Sequence, residues 1–166
     1  MMLDPLREEG LHTSALISRL KLPADAVVAD VGAGPGFLTL PLARAVPQGR
    51  VIATDVKLDY LAIAQSRARQ AGLSNVETRV TPADDAQLHD GEVDLALLCQ
   101  VDQLLPDRAR YFRRLTVALK PQGRIALVNW ARFRDADLAA AREAGLRVVD
   151  EWTPTPPFFA LVLERS

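Results

Sequence analysis

One stretch of the chain, residues 27–36, restricts the possible folds more than any other. Its first half is an almost continuous apolar run, which is the pattern of a strand buried on both faces. Glycine then occupies every second position, at Gly32, Gly34 and Gly36, and an apolar helical pattern follows over residues 37–46. Strand, glycine turn and helix together predict a loop whose backbone approaches a nucleotide-like ligand at the edge of a parallel sheet. The alternative is a turn with a purely structural role.

The spacing of the glycines distinguishes between two kinds of ligand. A dinucleotide fingerprint, G-x-G-x-x-G, would place its third glycine where Phe37 stands. The third glycine comes one residue earlier, and an acidic residue, Asp30, lies two positions before the first glycine. A second apolar strand over residues 51–55 ends in Asp55, where an acceptor for ribose hydroxyl groups is expected. The glycine motif resembles the first motif of the class I S-adenosylmethionine-dependent methyltransferases, and Asp55 resembles the acidic residue that ends their second strand.

This resemblance implies a fold, a cofactor and a set of contact residues. The implied fold is a single Rossmann-like α/β domain of three layers, with a mostly parallel seven-stranded sheet in the order 3-2-1-4-5-7-6 and strand 7 antiparallel. The implied activity is methyl transfer from S-adenosylmethionine to an acceptor by in-line displacement. The residues assigned to the cofactor on this basis are Asp30, Gly32, Ala33, Gly34, Pro35, Gly36, Asp55, Val56, Ala83, Asp84 and Cys99.

Composition agrees with one compact domain. A chain of 166 residues, of which 49% are hydrophobic, can bury a substantial core without splitting. We expect one domain over residues 1–166, with an N-terminal helical segment over 1–23 and a Rossmann-like core over 24–166. The 20 basic and 21 acidic residues nearly balance, which argues against nucleic acid or a membrane surface as partner. One cysteine, an acidic N-terminal stretch and the lack of a long apolar run predict a cytoplasmic protein.

Hydrophobic periodicity and turn residues predict the remaining elements. Further helices are predicted over residues 3–21, 58–71, 108–119 and 135–144, and further strands over 75–80, 93–99, 124–130, 146–152 and 158–163. Asp107 is a natural N-cap for the third of these helices, and residues 121–123 predict a turn before the fifth strand. The loop between the last two strands is too short for a parallel crossover, so they should form an antiparallel hairpin.

The chain departs from the family pattern at the end of the third strand. The family often has Gly-Asp-Ala there, and the Asp holds the adenine amino group. Thr81, Pro82 and Ala83 stand in its place, so that carboxylate is missing. Asp84 or Asp85 could take over the contact. The alternative is that the Ala83 backbone and apolar contacts suffice.

The acceptor should bind beyond the carboxyl ends of strands four and five, where ligands of open α/β sheets bind. Asp102 is the candidate base there, and its alternative is a solvated carboxylate near a helix start. Trp130 is either a pocket wall or the end of a core strand. His12 is either an active-site residue or a surface histidine. Cys99 is predicted as a buried side chain rather than a nucleophile. The candidate residues on the acceptor side are His12, Gln100, Asp102, Trp130 and Phe133.

Three functions remain open at this point. The favoured one is methylation of a small, partly apolar acceptor held between Trp130, the loop over residues 153–157 and the N-terminal helix. The sequence lacks the basic surface of a nucleic-acid enzyme. It also lacks, after strand four, the Asn-Pro-Pro-Tyr-like signature that in the resembling family marks methylation of amino groups on nucleobases or glutamine. The alternatives are a nucleotide-dependent oxidoreductase and a non-catalytic partner protein that keeps the fold. We expect no catalytic metal, since only His12 and His89 are present and no His/Cys pair is close. We expect a monomer or a homodimer, and a partner subunit could complete the pocket.

Overall fold

The computed structural model describes residues 11–166 of the chain. Seven strands lie in this part: β1 Val27–Val31, β2 Arg50–Asp55, β3 Val76–Val80, β4 Val93–Cys99, β5 Leu119–Trp130, β6 Leu146–Trp152 and β7 Phe158–Arg165. They form one sheet in the order β3-β2-β1-β4-β5-β7-β6. β7 runs antiparallel to β5 and β6, whereas β2 is parallel to β1 and β3, and β4 is parallel to β5. The predicted fold class and strand order are confirmed.

The first helix precedes β1, and the others lie between strands along the chain, much as the periodicity predicts. They are α1 Thr13–Leu20, α2 Thr39–Ala45, α3 Leu58–Gln70, α4 Arg108–Ala118 and α5 Arg134–Glu143, with 3-10 turns at Asp102–Leu104 and Ala131–Phe133. The predicted helix over residues 3–21 falls partly outside the described residues, and its described part ends where Lys21 adopts a left-handed conformation. No helix within residues 11–166 is long and apolar enough to cross a membrane.

Contacts divide the chain after Thr81 into two compact units. In the first unit, β1, β2 and β3 are connected by α2 and α3, as in a parallel βαβ arrangement. The central residues of β1 and β2 are fully buried, which is why both strands read as continuous apolar runs. Ala64 and Ala68 of α3 are also fully buried, so this helix packs through small side chains. The predicted boundary between residues 23 and 24 does not coincide with this division and stays a prediction.

The largest difference from the sequence prediction in the second unit is the start of β5. β5 begins at Leu119 rather than at Arg124, because Leu119 pairs with Val93 before a register shift and Arg124 pairs with Leu95 after it. The turn predicted over residues 121–123 therefore lies within the bounds of β5. The predicted N-cap of α4 is confirmed, since the Asp107 side chain accepts a hydrogen bond of 3.0 Å from the amide of Arg110.

Arg165, the last residue of β7, binds the carboxyl end of α4. One terminal nitrogen donates to the carbonyls of Thr116 and Leu119, and the other to those of Lys120 and Pro121. The last carbonyls of a helix have no partner within the helix, and a cation at this end is also favoured by the helix dipole. Arg165 therefore joins the final strand to α4 and to the start of β5.

Candidate active site

The loop after β1 has a backbone conformation that favours glycine. Gly32, Gly34 and Gly36 have φ angles of 70°, 56° and 95°, a region that residues with a Cβ atom rarely adopt. A Cβ atom added at Gly36 would also lie 3.0 Å from the Cβ of Ala64 in α3. The loop therefore approaches α3 more closely than a residue with a side chain would allow.

Asp55, the last residue of β2, binds this loop through its carboxylate. Its Oδ2 accepts a hydrogen bond of 2.8 Å from the amide of Gly34, and its Oδ1 accepts one of 2.9 Å from the amide of Lys57. An ionised carboxylate has about four acceptor positions, so each oxygen can take another donor. The side chain is half-buried. Asp55 can therefore accept hydrogen bonds from the hydroxyl groups of a ligand while it binds the loop.

Apolar side chains are exposed beside this carboxylate. Val56 and Leu58 follow Asp55 and expose 53% and 66% of their surface, and Val80, which pairs with Asp55 in the sheet, exposes 49%. A nucleoside suits such a surface, since its base can cover apolar side chains while its ribose hydroxyls reach the carboxylate. The first unit thus fits a cofactor that contains a nucleoside.

Asp30 and two other predicted contact residues support the loop from inside. Asp30 is buried, and its Oδ2 accepts a hydrogen bond of 2.7 Å from Oγ1 of Thr39 at the start of α2. The amide of the buried Ala33 donates to a carbonyl of β2, and the carbonyl of Pro35 accepts from Arg67. These residues shape the loop, and their direct contact with a cofactor stays a prediction.

The two acidic residues after β3 differ in their surroundings. Asp85 forms an ion pair with Arg114 of α4 and accepts a hydrogen bond from the amide of Gln87. Asp84 is exposed, as is Ala83, and Asp84 makes no hydrogen bond or ion pair with a residue in the described part of the chain. Of the two candidates to replace the missing adenine contact, Asp84 is the available one. The contact itself stays a prediction.

A polar cluster lies in the second unit and contains two fully buried carboxyl groups. Asp102, Asn129 and Asp137 each expose 0% of their surface. Nδ2 of Asn129 donates a hydrogen bond of 2.8 Å to Oδ2 of Asp102. Nε of Arg108 lies 3.0 Å from Oδ1 of Asp137 and 3.6 Å from Oδ2 of Asp102. The alternative of a solvated carboxylate is therefore wrong for Asp102, and this side chain presents no surface to an acceptor.

Asp137 retains its proton in this cluster. Burial first, and then the hydrogen bond and charge of Asp102, raise the pKa of Asp137 from 3.8 to about 8, against the opposing charge of Arg108. When ionised, Asp137 has no hydrogen-bond donor in suitable geometry at either oxygen. When protonated, it can donate to Asp102. Asp137 is therefore mostly protonated at neutral pH.

Aromatic side chains meet at the carboxyl end of β5. The rings of Trp130 and Phe158 lie 4.4 Å apart between centroids. The carbonyl of Pro157, in the loop before β7, accepts a hydrogen bond of 2.7 Å from the amide of the residue after Trp130. The guanidinium carbon of Arg132 lies 5.5 Å from the Trp130 ring centroid and 4.9 Å from that of Phe133. The structure thus brings Trp130, Phe133 and the Pro-rich loop together, while their contact with an acceptor stays a prediction.

The other candidates have less distinctive surroundings. Cys99 is buried, as predicted. Gln100 has a φ of 58°, which is uncommon outside glycine, and its backbone amide donates a hydrogen bond of 2.7 Å to the carbonyl of Val128. His12 is exposed and provides no side-chain cap for α1. Its exposure favours the surface histidine over the active-site residue.

Four residues of this region were not identified from the sequence. Asn129 carries a signal, because it is a polar residue inside an otherwise apolar strand. Asp137 has the pattern of an ordinary acidic residue in the first turn of a helix. Arg108 and Arg132 have the pattern of ordinary surface arginines. Their proximity depends on tertiary packing, which spacing in the sequence does not reveal.

Comparison with known proteins identifies the family. Residues 28–123 match the family described as a methyltransferase domain. A trans-aconitate 2-methyltransferase of Variovorax paradoxus is 37% identical over 114 residues, which cover 68% of this chain and 41% of that protein. A release factor glutamine methyltransferase of Moorella thermoacetica is 36% identical over 73 residues, which cover 44% of this chain and 26% of that protein. The chain thus matches less than half the length of either relative.

A solved structure shows the same fold. The structure of a SAM-dependent methyltransferase from Aquifex aeolicus has a TM-score of 0.89 at 23% identity, with 96% of this chain and 93% of that chain covered. The family match covers more than half of the chain. The glycine loop, its acidic partner and this match lead to one conclusion: the chain belongs to the class I S-adenosylmethionine-dependent methyltransferase family, and S-adenosylmethionine is its cofactor.

Proposed function

We propose that this chain transfers a methyl group from S-adenosylmethionine to a small-molecule acceptor by in-line displacement. The single observation that supports this most directly is the half-buried carboxylate of Asp55, bound to the glycine loop and bordered by exposed apolar side chains. Asp55 would accept the ribose hydroxyls, the loop amides would face the cofactor, and Asp84 would approach the adenine amino group. Pro82 has no amide hydrogen to donate, so the Asp84 carboxylate is the stronger candidate for that contact.

The cofactor supplies a methyl group already activated by a sulfonium, so the protein mainly has to orient the acceptor and exclude water. Residues at the carboxyl ends of β4 and β5 would do this, with Gln100, Trp130 and Phe133 as the half-exposed side chains. Asp102 is too deeply buried to take a proton from the acceptor directly. We therefore assign it a positioning role, through its contacts with Asn129 and Arg108.

Two further observations support a small acceptor. The relative from Variovorax paradoxus is named for a small organic acid. In addition, the segment after β4 reads Cys99-Gln100-Val101-Asp102 and lacks the signature that marks methylation of nucleobases or glutamine in this family. The oxidoreductase alternative finds no support in the family match. A cytoplasmic monomer or homodimer without a catalytic metal is part of the same proposal, and residues 11–166 contain no cluster of three metal-binding side chains.

A second candidate is a non-catalytic partner protein that binds the cofactor and methylates nothing. The burial of Asp102 favours it, because the residue predicted as the base does not reach the acceptor side. The two candidates differ in turnover and not in cofactor binding.

The test combines calorimetry with an acceptor screen. Calorimetry measures binding of S-adenosylmethionine and S-adenosylhomocysteine, with NADH as a negative control. Methyl-labelled cofactor is then incubated with pools of small acids, phenols, amines and thiols, and separately with tRNA and with protein. Label in a small molecule supports the proposal. Label only in tRNA or protein refutes the small acceptor, and cofactor binding without label in any pool supports the non-catalytic candidate.

A further inference from the structure

We infer that Arg108 and Arg132, which both contact the ring of Phe133, form a binding site for a carboxylate of an acidic acceptor. This inference rests on the proposed function, and it names the substrate class of that function. The guanidinium carbons of Arg108 and Arg132 lie 5.6 Å and 4.9 Å from the centroid of the Phe133 ring. Both arginines belong to the second unit, at the carboxyl end of β5.

Aromatic rings orient the guanidinium of Arg132, and no carboxylate of a described residue pairs with it. It is exposed, and it stacks on the rings of Trp130 and Phe133. It makes no ion pair with any residue in the described part of the chain, whereas the neighbouring Arg134 pairs with Glu151. Stacking on aromatic faces orients a guanidinium and leaves its N–H edge available to a ligand. Arg132 therefore presents an oriented positive charge to solvent.

Arg108 is fixed from the opposite side, by the buried cluster. Its Nε lies near the carboxyl groups of Asp137 and Asp102, while its two terminal nitrogens make no hydrogen bond with a described residue. The side chain is 23% exposed. The carboxyl groups thus lie beside the Nε edge of the guanidinium, and the terminal nitrogens remain available to a ligand.

The charges of this region favour an anion. Two guanidinium groups lie beside one ring and repel each other. Burial raises the pKa of Asp137 to about 8, so this carboxyl group does not neutralise Arg108 at neutral pH. A ligand carboxylate would restore the balance, and its two oxygens suit the paired N–H groups of a guanidinium. The rings of Trp130 and Phe158 would contact the carbon skeleton of the same acid.

A carboxylate acceptor needs no base, which is consistent with the burial of Asp102. One carboxylate would bind the two arginines, and another carboxylate of the same molecule would receive the methyl group. A lone pair of the second carboxylate forms the new O–C bond, the C–S bond breaks, and its electron pair stays on sulfur. The products are a methyl ester and S-adenosylhomocysteine, and no proton has to be removed. The burial of Asp102 is therefore compatible with turnover on such an acceptor.

The test measures binding of tricarballylate to the full chain loaded with S-adenosylhomocysteine. Calorimetry is performed on the wild type and on Arg132→Gln, Arg132→Lys and Arg108→Gln. The matched control is Arg110→Gln, which removes one positive charge from an exposed position of the same helix as Arg108. We expect Arg132→Gln to weaken tricarballylate binding by about tenfold or more, as for loss of a charged hydrogen bond. Arg132→Lys should recover only part of this, and Arg110→Gln should bind as the wild type does.

Several outcomes would overturn the inference. One is equal affinity of the wild type and Arg132→Gln for tricarballylate. Another is that the wild type binds the neutral trimethyl ester as tightly as tricarballylate itself. A third is that it binds inorganic phosphate as tightly as tricarballylate. Because Arg132 is exposed, its substitution should not impair folding, so the test does not depend on the stability of Arg108→Gln.

The same variants separate this inference from the proposed function. Methylation of acidic acceptors that is unchanged in Arg132→Gln would support the function and refute the carboxylate site. Arg132-dependent tricarballylate binding with no methyl transfer to any acceptor would support the site and refute the function. Methylation of acids that is lost in Arg132→Gln and retained in Arg110→Gln would support both.

Discussion

The amide of Gly34 donates a hydrogen bond of 2.8 Å to Oδ2 of Asp55, which joins the glycine loop to the end of β2. The family assigns this acidic position to the ribose hydroxyls, and the structure adds a second role in the loop itself. Substitution of Asp55 should therefore affect cofactor affinity in two ways. It would remove the proposed acceptor for the cofactor, and it would release the Gly34 amide from its partner.

We expect Asp55→Ala to weaken binding of S-adenosylmethionine by more than about tenfold, since two charge-assisted hydrogen bonds are at stake. Asp55→Asn should lose less affinity for the cofactor, because its side-chain oxygen can still accept a hydrogen bond from one backbone amide. The matched control is Asp59→Ala, an exposed acidic residue in the first turn of α3. Calorimetry with the same cofactor measures all three. An Asp55→Ala protein with wild-type affinity would refute the assigned role.

Gly36→Ala should destabilise the protein more than Gly72→Ala. Both glycines have positive φ angles, but an added Cβ would lie 3.0 Å from Ala64 at position 36 and meets nothing within 4 Å at position 72. We expect a loss of about 1 kcal/mol at Gly72 and of about 2–4 kcal/mol at Gly36, where steric overlap adds to backbone strain. Urea denaturation measures the difference. Equal losses at the two positions would show that the loop can shift away from α3.

The buried proton on Asp137 should make stability depend on pH. Its pKa is raised to about 8 in the folded protein, above its value in the unfolded chain, so the folded state binds more protons between these two values. The resulting stability is fully present below about pH 4 and is lost as pH rises to about 8, by at most about 1.4 kcal/mol per pH unit. The groups that surround Asp137 are Asp102, Arg108 and Asn129.

We expect Asp137→Asn to flatten this dependence, because the amide resembles the protonated acid and does not ionise. The free energy of unfolding should be measured in urea at intervals from about pH 5 to about pH 9. Asp135→Asn serves as the control, since its side chain is 98% exposed on the same helix and its substitution should leave the slope unchanged. A wild-type slope in Asp137→Asn would mean that other groups titrate in this range.

Arg165→Gln should destabilise the protein by about 1.5–3 kcal/mol, because a charged donor is removed from four carbonyls, three of them in partly buried hydrogen bonds, at the end of α4 and the start of β5. Arg147→Gln provides a comparison in the neighbouring strand. Its exposed pair with Glu164 should contribute less than about 1 kcal/mol. Thermal and urea unfolding measure both. Similar small losses would show that water replaces Arg165 at these carbonyls.

The sequence predicts the sheet well, because burial on both faces leaves apolar runs such as that of β4. It does not predict the start of β5, because the register shift beside Val93 depends on pairing with a distant strand. The cofactor loop is also predictable, since its backbone geometry requires glycine at fixed spacing. The acceptor side is less predictable from the sequence. The distinction between a buried and a solvated Asp102 depends on Asn129 and Arg108, which are far from it along the chain or lie in another element.

The contacts of Trp130 with Phe158 and Arg132 make this indole an optical reporter at the end of β5. The chain has two tryptophans, and Trp152→Phe would leave Trp130 as the single indole. The emission of an indole responds to a nearby charge, so an acid that binds Arg132 should change the fluorescence of this variant. Rapid mixing with cofactor and acid in either order would then show which of the two has to bind first.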